Sequence, residues 1–268
     1  MIGRLLALAL VVASGLPAAA LRLEGSPQQG ALMRGETVPG AATRLDGRPL
    51  RVAPDGGFVF GFGRDHPPRT VLEIQHPDSR VERHELAVAQ RQYPTQRIDG
   101  LPERMVRPSE ADLRRIAHER QLVLAARLTN SPLPHFRQPF IWPVQGVVTG
   151  VYGSQRILNG EPRQPHFGID IAAPEGTPTL AAADGIVLLA EADLYFTGGT
   201  LLLDHGHGVS STYSHLSRLS VVAGQVVRQG EVVGAVGRTG RATGPHLDWR
   251  VNWFEERLDP QLLLPRGQ

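Results

Sequence analysis

The chain has 268 residues, of which 41% are hydrophobic and 20% are charged, a composition typical of globular proteins. The formal net charge is only +2, so neither a nucleic-acid partner nor a charged membrane surface is indicated. Cysteine and lysine are both absent, which excludes disulfides, thiol nucleophiles and the attachment lysine of a lipoyl or biotin carrier domain.

Residues 1–20 have the pattern of a signal peptide. Arg4 supplies a positive charge, an apolar run follows over residues 5–12, and small residues at 18–20 suit a cleavage site. The apolar run is shorter than a membrane-spanning helix requires, and no comparable run follows it. We therefore expect a periplasmic or secreted protein that begins near Leu21 and has no membrane span in its mature form.

Residues 21–90 predict a small, β-sandwich-like accessory domain. Short alternating runs are separated by turn signals such as Asp46-Gly47, and Phe58-Val59-Phe60 is a strand candidate. This stretch has no pattern typical of a catalytic site. Three of its histidines lack the spacing of metal ligands and are expected at the surface: His66, His76 and His84.

Residues 91–138 predict a linker and a connecting helix. The part up to Pro108 is expected to be irregular, since prolines interrupt it repeatedly. Ser109 followed by Asp112 is typical of a helix N-terminus, and the helix is expected to run to about Leu128. The predicted helix has an apolar stripe at near-helical spacing: Leu113, Ile116, Ala117, Leu124 and Leu128.

Residues 139–268 predict a glycine-rich, antiparallel β domain, so the fold class is mainly β. No long helical pattern interrupts this region, and residues 222–231 are interpreted as a hairpin with glycines at its turns. The other strand candidates are 147–149, 185–189, 200–203 and 232–236.

Two short segments of this domain carry the ligand-type residues. His166, Gly168 and Asp170 share one face of a predicted strand, and His246 and Asp248 share one face of another. If the two strands lay side by side, two imidazoles and two carboxylates would meet in a small volume. Burying such a cluster is costly unless a cation sits in it, so a divalent metal is indicated.

Several motifs occur in the order found in the lysostaphin/LytM-type zinc metallopeptidases, which cleave peptide cross-links of bacterial peptidoglycan. The region from 139 onward resembles the catalytic domain of that family. The motifs are Arg156-Ile157-Leu158-Asn159-Gly160, His166-x-x-x-Asp170, Ala172-Ala173-Pro174-x-Gly176-Thr177-Pro178, Asp204-His205-Gly206, Tyr213-x-His215-Leu216 and Thr243-Gly244-Pro245-His246.

The resemblance implies a role for each site residue. His166 and Asp170 would be metal ligands, and His215 and His246 would be catalytic. The family's last motif is His-x-His, whose second histidine is the third ligand, and Asp248 stands at that position. Zinc is the metal implied, and a second carboxylate also makes Mn²⁺ or another hard divalent ion acceptable.

The resemblance therefore implies an exported metalloendopeptidase whose partners are the peptide stems of peptidoglycan. A metal-activated water would attack the peptide bond with the help of His215 and His246. The alternative is a catalytically silent module that binds or regulates other cell-wall hydrolases, which the change at Asp248 would favour. His205 and His207 are interpreted as turn residues rather than ligands because glycines flank them.

Overall fold

The chain folds mainly into β-strands, as the sequence predicts. The computed structural model describes residues 21–100 and 108–265; the predicted signal peptide lies outside them. The strands of the first part are β1 (Arg22–Glu24), β2 (Leu32–Glu36), β3 (Ala42–Leu45), β4 (Arg48–Leu50), β5 (Gly57–Gly61), β6 (Arg69–Gln75), β7 (Val81–Ala87) and β8 (Thr95–Ile98).

Residues 108–265 contain one long helix and the larger sheet. The elements are helix α1 (Glu110–Arg127), β9 (Val147–Gly150), β10 (Gln155–Leu158), β11 (Glu161–Pro162), β12 (Ile169–Ala172), β13 (Pro178–Leu180), β14 (Gly185–Leu194), β15 (Gly198–Gly206), β16 (Val209–Leu216), β17 (Arg218–Leu219), β18 (Val226–Val227), β19 (Val232–Ala235), β20 (His246–Trp253) and β21 (Glu256–Leu258). Two short 3₁₀ helices cover His135–Arg137 and Pro260–Leu263.

Two small sheets form the first part of the molecule. Their strand orders are β1-β2-β5 and β4-β3-β6-β7, and side chains such as Phe60 and Ile74 fill a shared core. At the predicted turn between β3 and β4, Asp46 and Gly47 both have positive φ, of 46° and 80°. His76 is buried rather than exposed, because its imidazole packs inward with Nε2 3.1 Å from a Glu82 carboxylate oxygen.

The linker contains a strand where an irregular segment was expected. Strand β8 pairs in parallel with β10, and Gln96 lies opposite Arg156. Backbone hydrogen bonds hold this pair, so the pairing does not require an apolar alternation along the strand. The linker thereby reaches the part of the molecule that contains the ligand-type residues.

Helix α1 begins as predicted. The Ser109 hydroxyl accepts a hydrogen bond from the Asp112 backbone N–H, and the Asp112 carboxylate accepts one from the Ser109 N–H. The predicted apolar stripe packs only in part, since Leu113 and Leu128 are 52% and 49% exposed whereas Ile116 and Leu124 are half-buried. Within the described residues, no helix is long and apolar enough to span a membrane.

The large sheet has the strand order β18-β14-β15-β16-β20-β12-β9, and β21 pairs with β20. All of these pairs are antiparallel. The expected hairpin at residues 222–231 does not form: β18 joins β14, whereas β19 lies in a separate sheet between β13 and β17. Gly224 and Gly230 do form turns, but those turns lead to different sheets.

Candidate metal centre

Strands β12 and β20 bring the two predicted segments together. They pair antiparallel, with Asp170 opposite Asp248 and Ala172 opposite His246. His166 precedes β12 by three residues, and on the other side of β20 Ser214 lies opposite Asp248, next to His215. The structure thus brings together all five residues that the sequence singles out.

The three proposed ligands converge on one point. One donor atom each from His166, Asp170 and Asp248 lies within 4.8 Å of the others, and His166 Nε2 is 3.1 Å from Asp170 Oδ1. Although they are close and buried, both His166 ring nitrogens and Asp170 Oδ1 lack a hydrogen-bond partner. Buried polar atoms are rarely left unpaired, so this donor set fits a divalent cation.

Each carboxylate of the centre is also paired with an arginine. Arg156 Nη2 donates to Asp170 Oδ2 at 2.8 Å. Arg250 hydrogen-bonds to both oxygens of Asp248, donating from Nε to Oδ1 at 2.9 Å and from Nη2 to Oδ2 at 2.5 Å. Two arginines therefore balance the two carboxylates, and a divalent ion would meet a site of no net charge.

These arginines also influence the protonation of the carboxyls. Burial by itself raises the pKa of Asp248, but the Arg250 guanidinium outweighs burial and holds that pKa well below its usual range. Burial raises the pKa of Asp170 as well, but the nearby His166 imidazole and the charge of Arg156 outweigh burial, so this pKa is also lowered. Both groups are therefore ionised near neutral pH, as metal ligands must be.

The two predicted catalytic histidines are held in one tautomer. His215 Nδ1 donates to the Thr239 carbonyl at 2.8 Å, and His246 Nδ1 donates to the Gly244 carbonyl at 2.8 Å. A carbonyl can only accept, so Nε2 of each neutral ring carries a lone pair. His246 Nε2 lies 3.8 Å from Asp170 Oδ1, and the ring centroids of the two histidines are 4.7 Å apart. Burial lowers the pKa of His215, which favours its neutral, proton-accepting form.

Glycines leave the room that these side chains occupy. A Cβ on Gly168 would stand 2.5 Å from Arg250 Cγ and 2.9 Å from Asp248 Oδ1. A Cβ on Gly150 would stand 2.3 Å from Asp170 Oδ2. The Asp248–Arg250 pair thus occupies the space that a side chain at position 168 would need.

A cleft of about 330 Å³ lies beside the centre. Its lining includes Gln96 from the linker strand and two arginines, Arg156 and Arg241. None of the three arginines Arg156, Arg241 and Arg250 was predicted as a site residue from the sequence. Arg250 could have been found, because a residue two positions after Asp248 lies on the same face of a strand. Arg241 lies in a loop, where no periodicity indicates its direction.

The remaining histidines of the domain serve structure. His205 does not lie in a turn, as the sequence predicted, but within β15, where its buried ring contacts the Asp184 carbonyl and the Ser211 hydroxyl at 2.7 Å each. His207 lies in the turn between β15 and β16, and its Nδ1 donates to the Arg51 carbonyl at 3.1 Å. Among the described residues, neither belongs to the group that converges on the metal position.

Proteins of known family resemble this chain in sequence and in fold. The model of peptidase family M23 matches residues 164–260. A crystal structure of a Pseudomonas aeruginosa protein assigned to peptidase M23 is 30% identical, covers 90% of this chain and 96% of its own, and superposes with a TM-score of 0.69.

Two curated relatives match over shorter stretches. The DD-carboxypeptidase/endopeptidase Mpg of Neisseria meningitidis is 44% identical over 100 residues, which is 37% of this chain and 22% of Mpg. The peptidoglycan DD-endopeptidase ShyA of Vibrio cholerae is 40% identical over 87 residues, which is 32% of this chain and 20% of ShyA. The match thus spans about a fifth of the length of these relatives. Taken with the near-complete coverage of the P. aeruginosa structure, these matches place the chain in peptidase family M23.

Proposed function

We propose that the protein is an exported, zinc-dependent endopeptidase that hydrolyses peptide cross-links of bacterial peptidoglycan. The observation that carries this proposal is the convergence of unpaired, buried donor atoms from His166 and Asp170 beside two imidazoles with available Nε2 atoms. Membership of family M23, and a relative that is named a peptidoglycan DD-endopeptidase, support the same substrate class.

His166, Asp170 and Asp248 would hold the metal. A bound zinc ion would act as a Lewis acid on a substrate carbonyl and would lower the pKa of a water molecule. A two-carboxylate set by itself would weaken that effect and favour Mn²⁺. Because Arg156 and Arg250 offset both carboxylates, more of the ion's charge remains to act on the substrate, and zinc is the metal that we propose.

His215 and His246 would move the proton and stabilise developing charge. Because Nδ1 of each ring donates to a carbonyl, Nε2 of each neutral ring can accept a proton, and Nε2 of His246 lies 3.8 Å from Asp170 Oδ1. In the neutral form either ring can take a proton from the attacking water, and as a cation either can donate to the oxyanion or to the leaving amine. Their carbonyl partners also fix the ring orientations, so little reorganisation is needed.

The direct test is metal analysis of the purified protein together with digestion of cross-linked peptidoglycan. We expect about one divalent ion per chain, and loss of most of it on Asp170→Ala, because two ligands are too few for a stable site. Asp65→Ala is the matched control, since this carboxylate is exposed at the surface. Absence of metal after reconstitution with zinc or manganese would overturn the proposal.

The second candidate function is a catalytically silent module that binds or regulates other cell-wall hydrolases. The observation that favours it is the pair of hydrogen bonds from Arg250 to both oxygens of Asp248, because these bonds make the oxygens less available to a metal. Metal-free protein that digests no peptidoglycan but still binds it, or binds another hydrolase, would support this function instead.

Export is part of the proposal and rests on the pattern of residues 1–20. N-terminal sequencing of protein recovered from the periplasm or the medium is expected to start near Leu21. A chain recovered there that still begins at Met1 would contradict cleavage at this site.

A further inference from the structure

The backbone of His215 adopts a conformation that residues other than glycine seldom take. Its φ is 66°, in the left-handed region, where a residue with a side chain is strained. His215 lies in β16, directly before Leu216, the last residue of that strand. Strain of this kind persists only where the surrounding structure fixes the residue, so the contacts around His215 hold it in place.

His215 lies in a bulge between β15 and β16. On β15, one residue separates Gly199 from Leu201, whereas on β16 two residues, Ser214 and His215, separate the partners of this pair. A bulge bends its strand and can turn a side chain toward a neighbouring site. The extra residue leaves the regular ladder, and the His215 backbone N–H donates instead to the Thr197 carbonyl at 2.7 Å.

Thr239 makes three hydrogen bonds at this bulge. Its carbonyl accepts from His215 Nδ1 at 2.8 Å. Its hydroxyl accepts from the Gly199 backbone N–H at 2.9 Å and donates to the Leu216 carbonyl at 2.9 Å. Because Gly199 and Leu216 are paired across the strands, this hydroxyl joins β15 to β16 at one end of the bulge. Thr239 therefore contacts both the backbone beside His215 and the ring nitrogen that carries the proton.

Two glycines of β15 leave the space that this arrangement needs. A Cβ on Gly198 would stand 2.2 Å from Thr239 Oγ1, and the φ of Gly198 is 59°. A Cβ on Gly199 would stand 2.2 Å from the Leu216 carbonyl oxygen. A side chain at either position would displace Thr239 or separate the strand pair, so the two glycines are matched to the threonine.

We propose that Thr239 is a positioning residue that holds His215 with Nδ1 protonated and Nε2 available to accept a proton. The inference rests on the proposed peptidase function for the part that His215 plays in cleavage. It deepens that function by assigning a residue that acts through the imidazole. Loss of the Thr239 hydroxyl would loosen the bulge and allow the proton to move to Nε2, which would remove the proton acceptor.

The direct test determines the tautomer of His215 without metal and without cleavage. Long-range proton–nitrogen NMR spectra of the chelator-treated, full-length protein, isotope-labelled at its histidines and kept at a pH where they are neutral, show which ring nitrogen is protonated. His215→Gln identifies the signals. We expect protonated Nδ1 in the natural protein and a substantial shift to protonated Nε2 in Thr239→Val, which keeps the branched shape but lacks the hydroxyl. Thr239→Ser retains the hydroxyl and should retain the natural tautomer.

Cleavage kinetics form the second arm. Thr239→Val should lower kcat by about tenfold or more with KM nearly unchanged, and Thr239→Ser should keep most of kcat. Thr177→Val is the matched control, since its hydroxyl also donates to a loop carbonyl, that of Pro174 at 2.7 Å, outside the described lining of the cleft. This control should change neither the tautomer nor kcat.

Circular dichroism verifies that Thr239→Val is folded; if it is not, Thr239→Ala replaces it with the same expected shift. Protonated Nε2 in the natural protein, an unchanged tautomer in the folded variant, or a serine variant that behaves like the valine variant would each overturn the proposal. A natural protein that digests no peptidoglycan, but whose His215 tautomer still depends on Thr239, would refute the peptidase function and leave the positioning role intact.

Discussion

Replacing Asp248 with asparagine keeps the shape of the side chain but removes the charge that Arg250 faces. The pair is mostly buried, with 3% of the Asp248 and 21% of the Arg250 side chain exposed. Two unit charges about 4 Å apart interact by about 4 kcal/mol at an effective dielectric constant near 20. Breaking a buried pair also leaves one charge uncompensated, for which losses of about 3–5 kcal/mol are typical. Since asparagine still accepts one hydrogen bond from Arg250, we expect the free energy of unfolding to fall by about 2–4 kcal/mol.

Urea unfolding of the chelator-treated protein measures this loss without a contribution from metal binding. The double variant Asp248→Asn/Arg250→Met should recover most of the lost stability, because no unpaired guanidinium remains. Glu175→Gln is the control: its partner Arg238 is 3.7 Å away at the surface, and a change of less than about 1 kcal/mol is expected. Two outcomes would contradict a buried ion pair. One is a loss of less than about 1 kcal/mol of unfolding free energy in Asp248→Asn, and the other is a double variant whose loss equals the sum of the losses of Asp248→Asn and Arg250→Met.

Three further predictions concern the histidines, the third ligand and helix α1. His215→Ala and His246→Ala should each slow peptide cleavage by about a hundredfold or more while the metal stays bound. Cleavage kinetics and elemental analysis of the same samples test this prediction. If one variant loses its metal, the histidine replaced in that variant is a metal ligand. Asp248→His should raise zinc affinity only when Arg250→Met accompanies it, because an imidazole cannot neutralise the buried guanidinium of Arg250. Zinc titrations compare the two variants, and equal zinc affinity in the single and the double variant would contradict the prediction. Arg127→Met should raise the free energy of unfolding by about 1–3 kcal/mol, because in the described structure Arg127 is 8% exposed and its Nε has no hydrogen-bond partner. Urea unfolding measures this change, and an unchanged free energy of unfolding would contradict the prediction.

Residues close together along the chain set the local structure of the helix cap and of the turn between β3 and β4. The capping box of Ser109 and Asp112 and the Asp46-Gly47 turn depend on residues within four positions of each other, and both form as predicted. The strand assignment of the two ligand segments has the same origin, because alternation along a strand sets which side chains share a face. The alternation therefore predicted that His166, Asp170, His246 and Asp248 would meet, whereas His215 was identified only from the family resemblance.

The surroundings of the site depend on contacts between residues that are far apart along the chain. The parallel pairing of β8 with β10 joins residues about 60 positions apart through backbone groups, which every residue has and which no side-chain pattern reveals. The Arg156–Asp170 pair and the position of Arg241 likewise depend on how loops and strands distant along the chain pack together. Charge balance at the centre is a property of this three-dimensional neighbourhood, since Coulomb energy depends on distance in space rather than on separation along the chain.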